Sequence, residues 1–156
     1  MVGAAHNLPY QTSSFVGRQR ELAKLREWLV ASRLVTLVGA GGSGKTRLAL
    51  ELARDCLPHY PEGVRLVDLS PLSDGALVAQ TLAGTLDIHE EIGRDWIETL
   101  LSRLQHVHLL VLLDNCGVRL RRSFTRCSPA AAASRYWPPR GSPSTCLGSR
   151  SSVSRR

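Results

Sequence analysis

Eight consecutive residues carry the clearest chemistry in the sequence: Gly39-Ala40-Gly41-Gly42-Ser43-Gly44-Lys45-Thr46. The spacing fits G-x-x-x-x-G-K-[ST], a loop whose backbone cradles phosphate. Gly39, Gly41, Gly42 and Gly44 let the chain curl until several N–H groups point inward, where larger side chains would obstruct the anion. Ser43 lies within the same curl. The helix expected after it presents its positive end to the same charge. Lys45 is placed to reach the β- and γ-phosphates, and the Thr46 hydroxyl to ligate Mg²⁺. A second signal lies about seventy residues on: Leu109-Leu110-Val111-Leu112-Leu113-Asp114, an apolar strand that delivers a carboxylate at its end. In P-loop NTPases an acid at that place meets the Thr-bound Mg²⁺, so Lys45 and Asp114 are the expected catalytic pair and Thr46 with Asp114 the expected metal pair.

Elements of the right kind flank both signals. Leu34–Val38 reads as a buried strand with a glycine-rich stop, and a helix is expected from about Lys45 to Cys56. Leu22, Leu25, Trp28 and Leu29 recur at helical spacing between Arg20 and Val30. Val64–Leu69 is a second short strand, and Asp74 caps a helix carrying Leu77, Val78, Leu82 and Leu86. A further helix presents Trp96, Ile97, Leu100, Leu101 and Leu104, before a third strand, His108–Leu113. Strands alternating with helices predict an α/β fold, a P-loop NTPase-type parallel sheet flanked by helices. Three of about five strands are legible, followed by an irregular C-terminal tail.

Nucleotide choice narrows by elimination. Guanine is usually read by an N-K-x-D loop, but the chain has only Lys24 and Lys45, and neither follows Asn or Thr. ATP is therefore the expected ligand, with Mg²⁺. Asn115 stands where many hydrolysing P-loop proteins carry a second acid, which favours binding over turnover.

Composition sets outer limits. With 156 residues, 43% hydrophobic and 21% charged, the chain suits one globular domain with a real core. No apolar run is long enough to span a bilayer, and residues 1–7 do not resemble a secretory leader. Cys56, Cys116, Cys127 and Cys146 lack C-x-x-C spacing, and His106, His108 and Cys116 match no familiar zinc set. Free cysteines of a cytoplasmic protein are expected. The net charge of +7 is unevenly placed. Residues 1–116 hold eleven Lys and Arg against all thirteen acids, whereas 117–156 hold nine Arg and no acid.

Phe15-Val16-Gly17-Arg18-Gln19-Arg20-Glu21-Leu22 resembles the h-h-G-R-x-x-E-L box of STAND and AAA+ ATPases. Asn7-Leu8-Pro9, Thr12-Ser13-Ser14, Leu34-Val35-Thr36-Leu37 and the phosphate loop together resemble NB-ARC-like ATPase modules of bacterial LuxR- or SARP-type transcriptional regulators. His59-Tyr60-Pro61-Glu62-Gly63-Val64 and Val67-Asp68-Leu69-Ser70-Pro71-Leu72 extend the likeness, which covers roughly residues 7–116. The resemblance implies that Val16, Gly17 and Arg18 lie on the adenine side of the nucleotide and that ATP acts as a switch ligand. It also implies self-association of the full-length family, DNA contact only through domains not found here, and no membrane partner.

After Asp114-Asn115-Cys116 the likeness stops: Gly117-Val118-Arg119 replaces the family's Glu-His-Leu. No counterpart is expected for the later strand ending near Thr-Ser-Arg, whose Arg senses the γ-phosphate. The resemblance is read as placing the Leu34–Val38 strand between the Asp114 strand and that absent strand, so one row of its backbone groups would be exposed. The expected organisation is an irregular lead-in (1–14), a partial P-loop NTPase domain (15–116) and an Arg-, Ser- and Pro-rich tail (117–156). Three readings of that tail compete: a frame-slip product, favoured because the likeness stops just where the acids vanish and Arg and Ser surge, a plain flexible tail, and a basic arm that neutralises nucleic-acid phosphates. The last, a nucleic-acid-binding protein, is the rival to the ATP switch; an inactive pseudogene remnant is a third.

Overall fold

The computed structural model describes residues 5–115 and, as backbone, 145–151. Among the described residues four parallel strands form one sheet: β1 (Leu34–Gly39), β2 (Val64–Asp68), β3 (Leu110–Asp114) and β4 (Thr145–Ser151). Their order across the sheet is β1-β4-β3-β2. The helices are α1 (Gln19–Ala31), α2 (Lys45–Cys56), α3 (Val78–Thr85) and α4 (Trp96–Leu104). Among the described residues no helix is long and apolar enough to cross a membrane.

Burial on both faces explains the unbroken apolar run of β3. Leu110 and Leu112 join Val35, Leu37 and Val64 under α1 and α2, whose Leu22, Leu25, Leu29, Leu48, Leu52 and Ala53 are buried. Val111 and Leu113 point the other way with Val67, Leu69 and Val78, and Leu82, Leu86 and Leu104 pack against them. Successive side chains of a strand alternate between faces, so one pentapeptide seeds both layers. Two helix faces depart from expectation. Trp28 is half exposed, and α4 buries Thr99 and Leu100 while Leu101 stays partly in solvent. Asp95 caps α4 through the Glu98 N–H, whereas Asp74 caps a 3-10 turn (Gly75–Leu77) that precedes α3.

The α/β architecture is as expected, but the strand count and order are corrected. Thr145–Ser151 pairs in parallel with β1 on one side, Leu34 opposite Cys146 through Gly39 opposite Ser151. On the other side it pairs with β3, Leu110 opposite Thr145 through Leu113 opposite Gly148. Among the described strands the phosphate-loop strand is thus the outer one, and a strand ending Ser149-Arg150-Ser151 lies between it and β3. The physical reason is that sheet pairing uses main-chain groups, which any non-proline residue supplies, so a segment without an apolar pattern still completes a ladder. Residues 116–144 and 152–156 lie outside the described residues, and with them the rest of the expected tail.

The lead-in is tied down along the outer edge of β2. His6 bridges Val64 in parallel, and the Val64 N–H donates to the Ala5 carbonyl at 3.1 Å. The Asn7 amide then imitates a peptide group: its Nδ2 donates to Leu66 O at 2.8 Å, and its Oδ1 accepts from Leu66 N at 2.6 Å. Leu8 is buried in the α1–α2 core, and Arg47 of α2 donates to the Ser13 Oγ at 3.0 Å. Gly63 permits this docking, because it has φ +96° and a Cβ there would collide with the Ala5 carbonyl.

Two outcomes follow. Gly63→Ala combines a left-handed alanine with that collision and should destabilise by about 2 kcal/mol or more, read as a lowered thermal midpoint. In hydrogen exchange, the amides of residues 146–149 should be protected to the degree of Val35–Val38; exchange at random-coil rates would remove β4 from the sheet.

Candidate functional site

All four strands run parallel, so β1 and β3 end on the same side of the sheet, and the phosphate loop and Asp114 meet there. Gly42 and Gly44 have φ +72° and +78°, conformations open to glycine at little cost, and these reverse the chain into α2. The N-cap of α2 is Gly44, with no side-chain cap, so the first-turn N–H groups of the helix are left to an external acceptor. Lys45 folds back over the loop: its Nζ donates to Gly39 O at 3.0 Å and Ala40 O at 2.8 Å, and lies 3.4 Å from Ser43 Oγ. The Thr46 hydroxyl lies 3.0 Å from both Asp114 carboxylate oxygens, a bond made across 68 residues of sequence.

These positions bring together Gly39, Gly41, Gly42, Ser43, Gly44, Lys45, Thr46 and Asp114 as one constellation. Phe15 packs against the core and anchors the segment before α1. Gly17 (φ +84°) and Arg18 (φ +57°) are both left-handed and turn the chain into that helix. Val16 projects into solvent, 87% exposed. The Arg18 guanidinium instead lies over the loop: a Cβ built on Gly44 would sit 3.4 Å from its Nη1.

A neighbouring carboxylate that no phosphate-binding motif marks belongs to the same corner. Asp68 ends β2 opposite Asp114 in register. Its Oδ1 accepts from the Ser70 N–H at 2.8 Å and from Asn115 Nδ2 at 3.1 Å, and its Oδ2 accepts from the Ser70 hydroxyl at 2.8 Å. Asn115 is left-handed (φ +58°), and its own N–H donates to Asp114 Oδ1 at 2.9 Å. The side-chain amide therefore links the ends of β2 and β3. The sequence signal was the Asp-Leu-Ser spacing of an Asx turn at a strand end.

No protein-family model matches the chain. An uncharacterised protein of Mycobacterium tuberculosis is 33% identical over 116 residues, covering 74% of this chain and 30% of the relative. A protein of the same organism named as an HTH-type transcriptional regulator is 37% identical over 92 residues, 59% of this chain and 10% of its own length. The chain thus spans under a third of the curated relatives it matches. Among solved structures, Cdc6p from Pyrobaculum aerophilum superposes with a TM-score of 0.60 at 15% identity, over 94% of this chain and 41% of that one. The Aeropyrum pernix Orc2 protein, solved as ADPNP-ADP complexes, gives 0.57 at 16% identity over 86% and 40%. The likeness to these two structures is one of fold, a parallel sheet flanked by helices.

The Asp68 cluster has a measurable signature. The Ser70 N–H, then the Asn115 amide and the Ser70 hydroxyl, hold the Asp68 carboxyl below its ordinary range. A lowered folded-state pKa stabilises the fold above the unfolded value and loses that contribution as pH falls through the folded one. Asp68→Asn should therefore flatten the wild-type loss of stability below about pH 4, the ordinary carboxylate value, in urea melts across pH.

Proposed function

We propose that the chain binds ATP–Mg²⁺ through Gly39–Thr46 and Asp114, as the nucleotide-switch module of a STAND/NB-ARC-like bacterial transcriptional regulator. The observation that carries this reading is the Thr46 hydroxyl at 3.0 Å from both oxygens of Asp114, beside Lys45 on a glycine loop that opens α2. Thr46 and Asp114 form a hard-oxygen donor set of the kind Mg²⁺ prefers, and their contact brings the two ligands to one point. Bound there, the ion would neutralise phosphate charge. Lys45, held by loop carbonyls in this structure, has an ammonium free to exchange those acceptors for phosphate oxygens. Val16 and Gly17 lie on the adenine side in this reading, and Val16 offers an exposed apolar surface to a base.

The name of the Mycobacterium tuberculosis relative and the nucleotide complexes of the Orc2 protein support the two halves of the proposal. A switch acts by binding its ligand more tightly in one state than in the other, and turnover is secondary to it. Asn115, tied to Asp68 and carrying an amide where hydrolysing relatives carry an acid, keeps turnover low.

Lys45→Ala removes a cation from the triphosphate and should weaken ATP–Mg²⁺ binding about ten- to a hundred-fold in calorimetry. Steady-state phosphate release by the wild type should not exceed that of the Lys45→Ala control. Equal ATP affinity in the two proteins would overturn the assignment.

A further inference from the structure

We infer that Arg18 is a phosphate ligand, a second cation of the anion site supplied by the start of α1, and not an adenine contact. The inference rests on the nucleotide reading above. Three observations carry it. The guanidinium lies against the phosphate loop: a Cβ on Gly44 would be 3.4 Å from Nη1 and 3.9 Å from Cζ. Gly44 is the N-cap of α2, the point where the loop's N–H groups and the helix dipole converge on an anion. Among the described residues the guanidinium also has no counter-ion. The ion pairs among the described residues use Arg26, Arg54, Arg94 and Arg103, and no hydrogen bond among those residues engages the Arg18 side chain. Glu21 stands three residues on in α1 but does not pair with it.

An unpaired guanidinium at this place has a definite chemistry. The acid nearest the loop in the site, Asp114, is occupied by the Thr46 hydroxyl and the Asn115 N–H. The loop itself, residues 39–46, contains no acid. Lys45 is a compact point charge engaged with carbonyls, whereas a planar guanidinium offers parallel donors matched to two oxygens of one phosphate. Backbone geometry keeps the group there. Phe15 packs against the core, Gly17 and Arg18 turn sharply, and the Arg18 carbonyl accepts the Leu22 N–H at 3.0 Å as α1 begins. Arg18 therefore joins α1 to whichever phosphates the loop holds. Nucleotide occupancy would be felt at the start of that helix as well as at α2.

The test separates phosphate from base by using probes that carry one or the other. Binding of Mg–tripolyphosphate, ATP–Mg²⁺ and adenosine is measured by calorimetry on the full chain as wild type, Arg18→Ala, Arg18→Lys and Lys45→Ala. Arg18→Ala should weaken tripolyphosphate and ATP by the same factor, about tenfold, with adenosine unchanged. Arg18→Lys should recover part of the loss, and the salt dependence of ATP binding should flatten in Arg18→Ala. Arg18→Gln keeps the stem and reads the charge alone if Arg18→Ala lowers the thermal midpoint. Tripolyphosphate affinity unchanged in Arg18→Ala, while Lys45→Ala loses it, would overturn the Arg18 assignment and leave the phosphate loop standing. Weakened adenosine binding in Arg18→Ala would return the residue to the adenine side. A wild type that binds neither ATP nor tripolyphosphate would overturn the nucleotide reading, and this inference with it.

Discussion

The hydrogen bond from Thr46 to Asp114 holds only if two strands that never touch end at the same height. β1 and β3 are separated by β4, and strands in a sheet lie about 4.8 Å apart, so the two ends are about 10 Å from each other. The first turn of α2 and the carboxylate of Asp114 span that gap. Parallel register provides the common height, and the two-sided core provides the register. Leu110 and Leu112 are locked under α1 and α2, while Val111 and Leu113 are locked under α3 and α4. A slip of one residue in β3 would exchange those faces and turn Asp114 away from the loop.

Electrostatics at the same corner are arranged in two tiers. Near the loop, Lys45 and Arg18 supply positive charge, with the uncapped start of α2 between them. Asp114 and Asp68 stand across from them at the ends of neighbouring strands. Adjacent carboxylates repel, and the structure distributes the cost by giving each its own donors: Thr46 and the Asn115 N–H for Asp114, Ser70 and the Asn115 amide for Asp68. Asn115 serves both acids, and an aspartate in its place would bring a third negative charge into contact with them. The amide thus has a structural reason to be there that is separate from any effect on hydrolysis.

How far the sequence announces this arrangement depends on whether the signal is local. The bounds of α2 could be read directly, because a glycine stop, a helix-forming run and a buried Leu and Ala face all lie within twelve residues. The phosphate loop and Asp114 were legible for the same reason. β4 was not: Thr-Cys-Leu-Gly-Ser-Arg-Ser has no apolar alternation and follows Pro143, and its partners lie more than thirty residues away. The docking of Asn7 on β2 was equally hidden, since a side chain posing as a peptide group leaves no periodicity. Arg18 was visible as a motif residue, but its reach to Gly44 comes from two left-handed residues that the sequence signals only through Gly17.

The Asn7 clasp has a consequence beyond shape. Its two hydrogen bonds occupy the Leu66 N–H and carbonyl, with the Ala5 carbonyl taking the Val64 N–H above them. Those are the groups through which one sheet recruits a strand from a neighbouring molecule. A dozen residues that look like an unstructured preface therefore act as a guard against self-templated aggregation on that flank. Deleting them would leave the phosphate loop chemically intact, yet create a molecule whose β2 edge is sticky for its own kind.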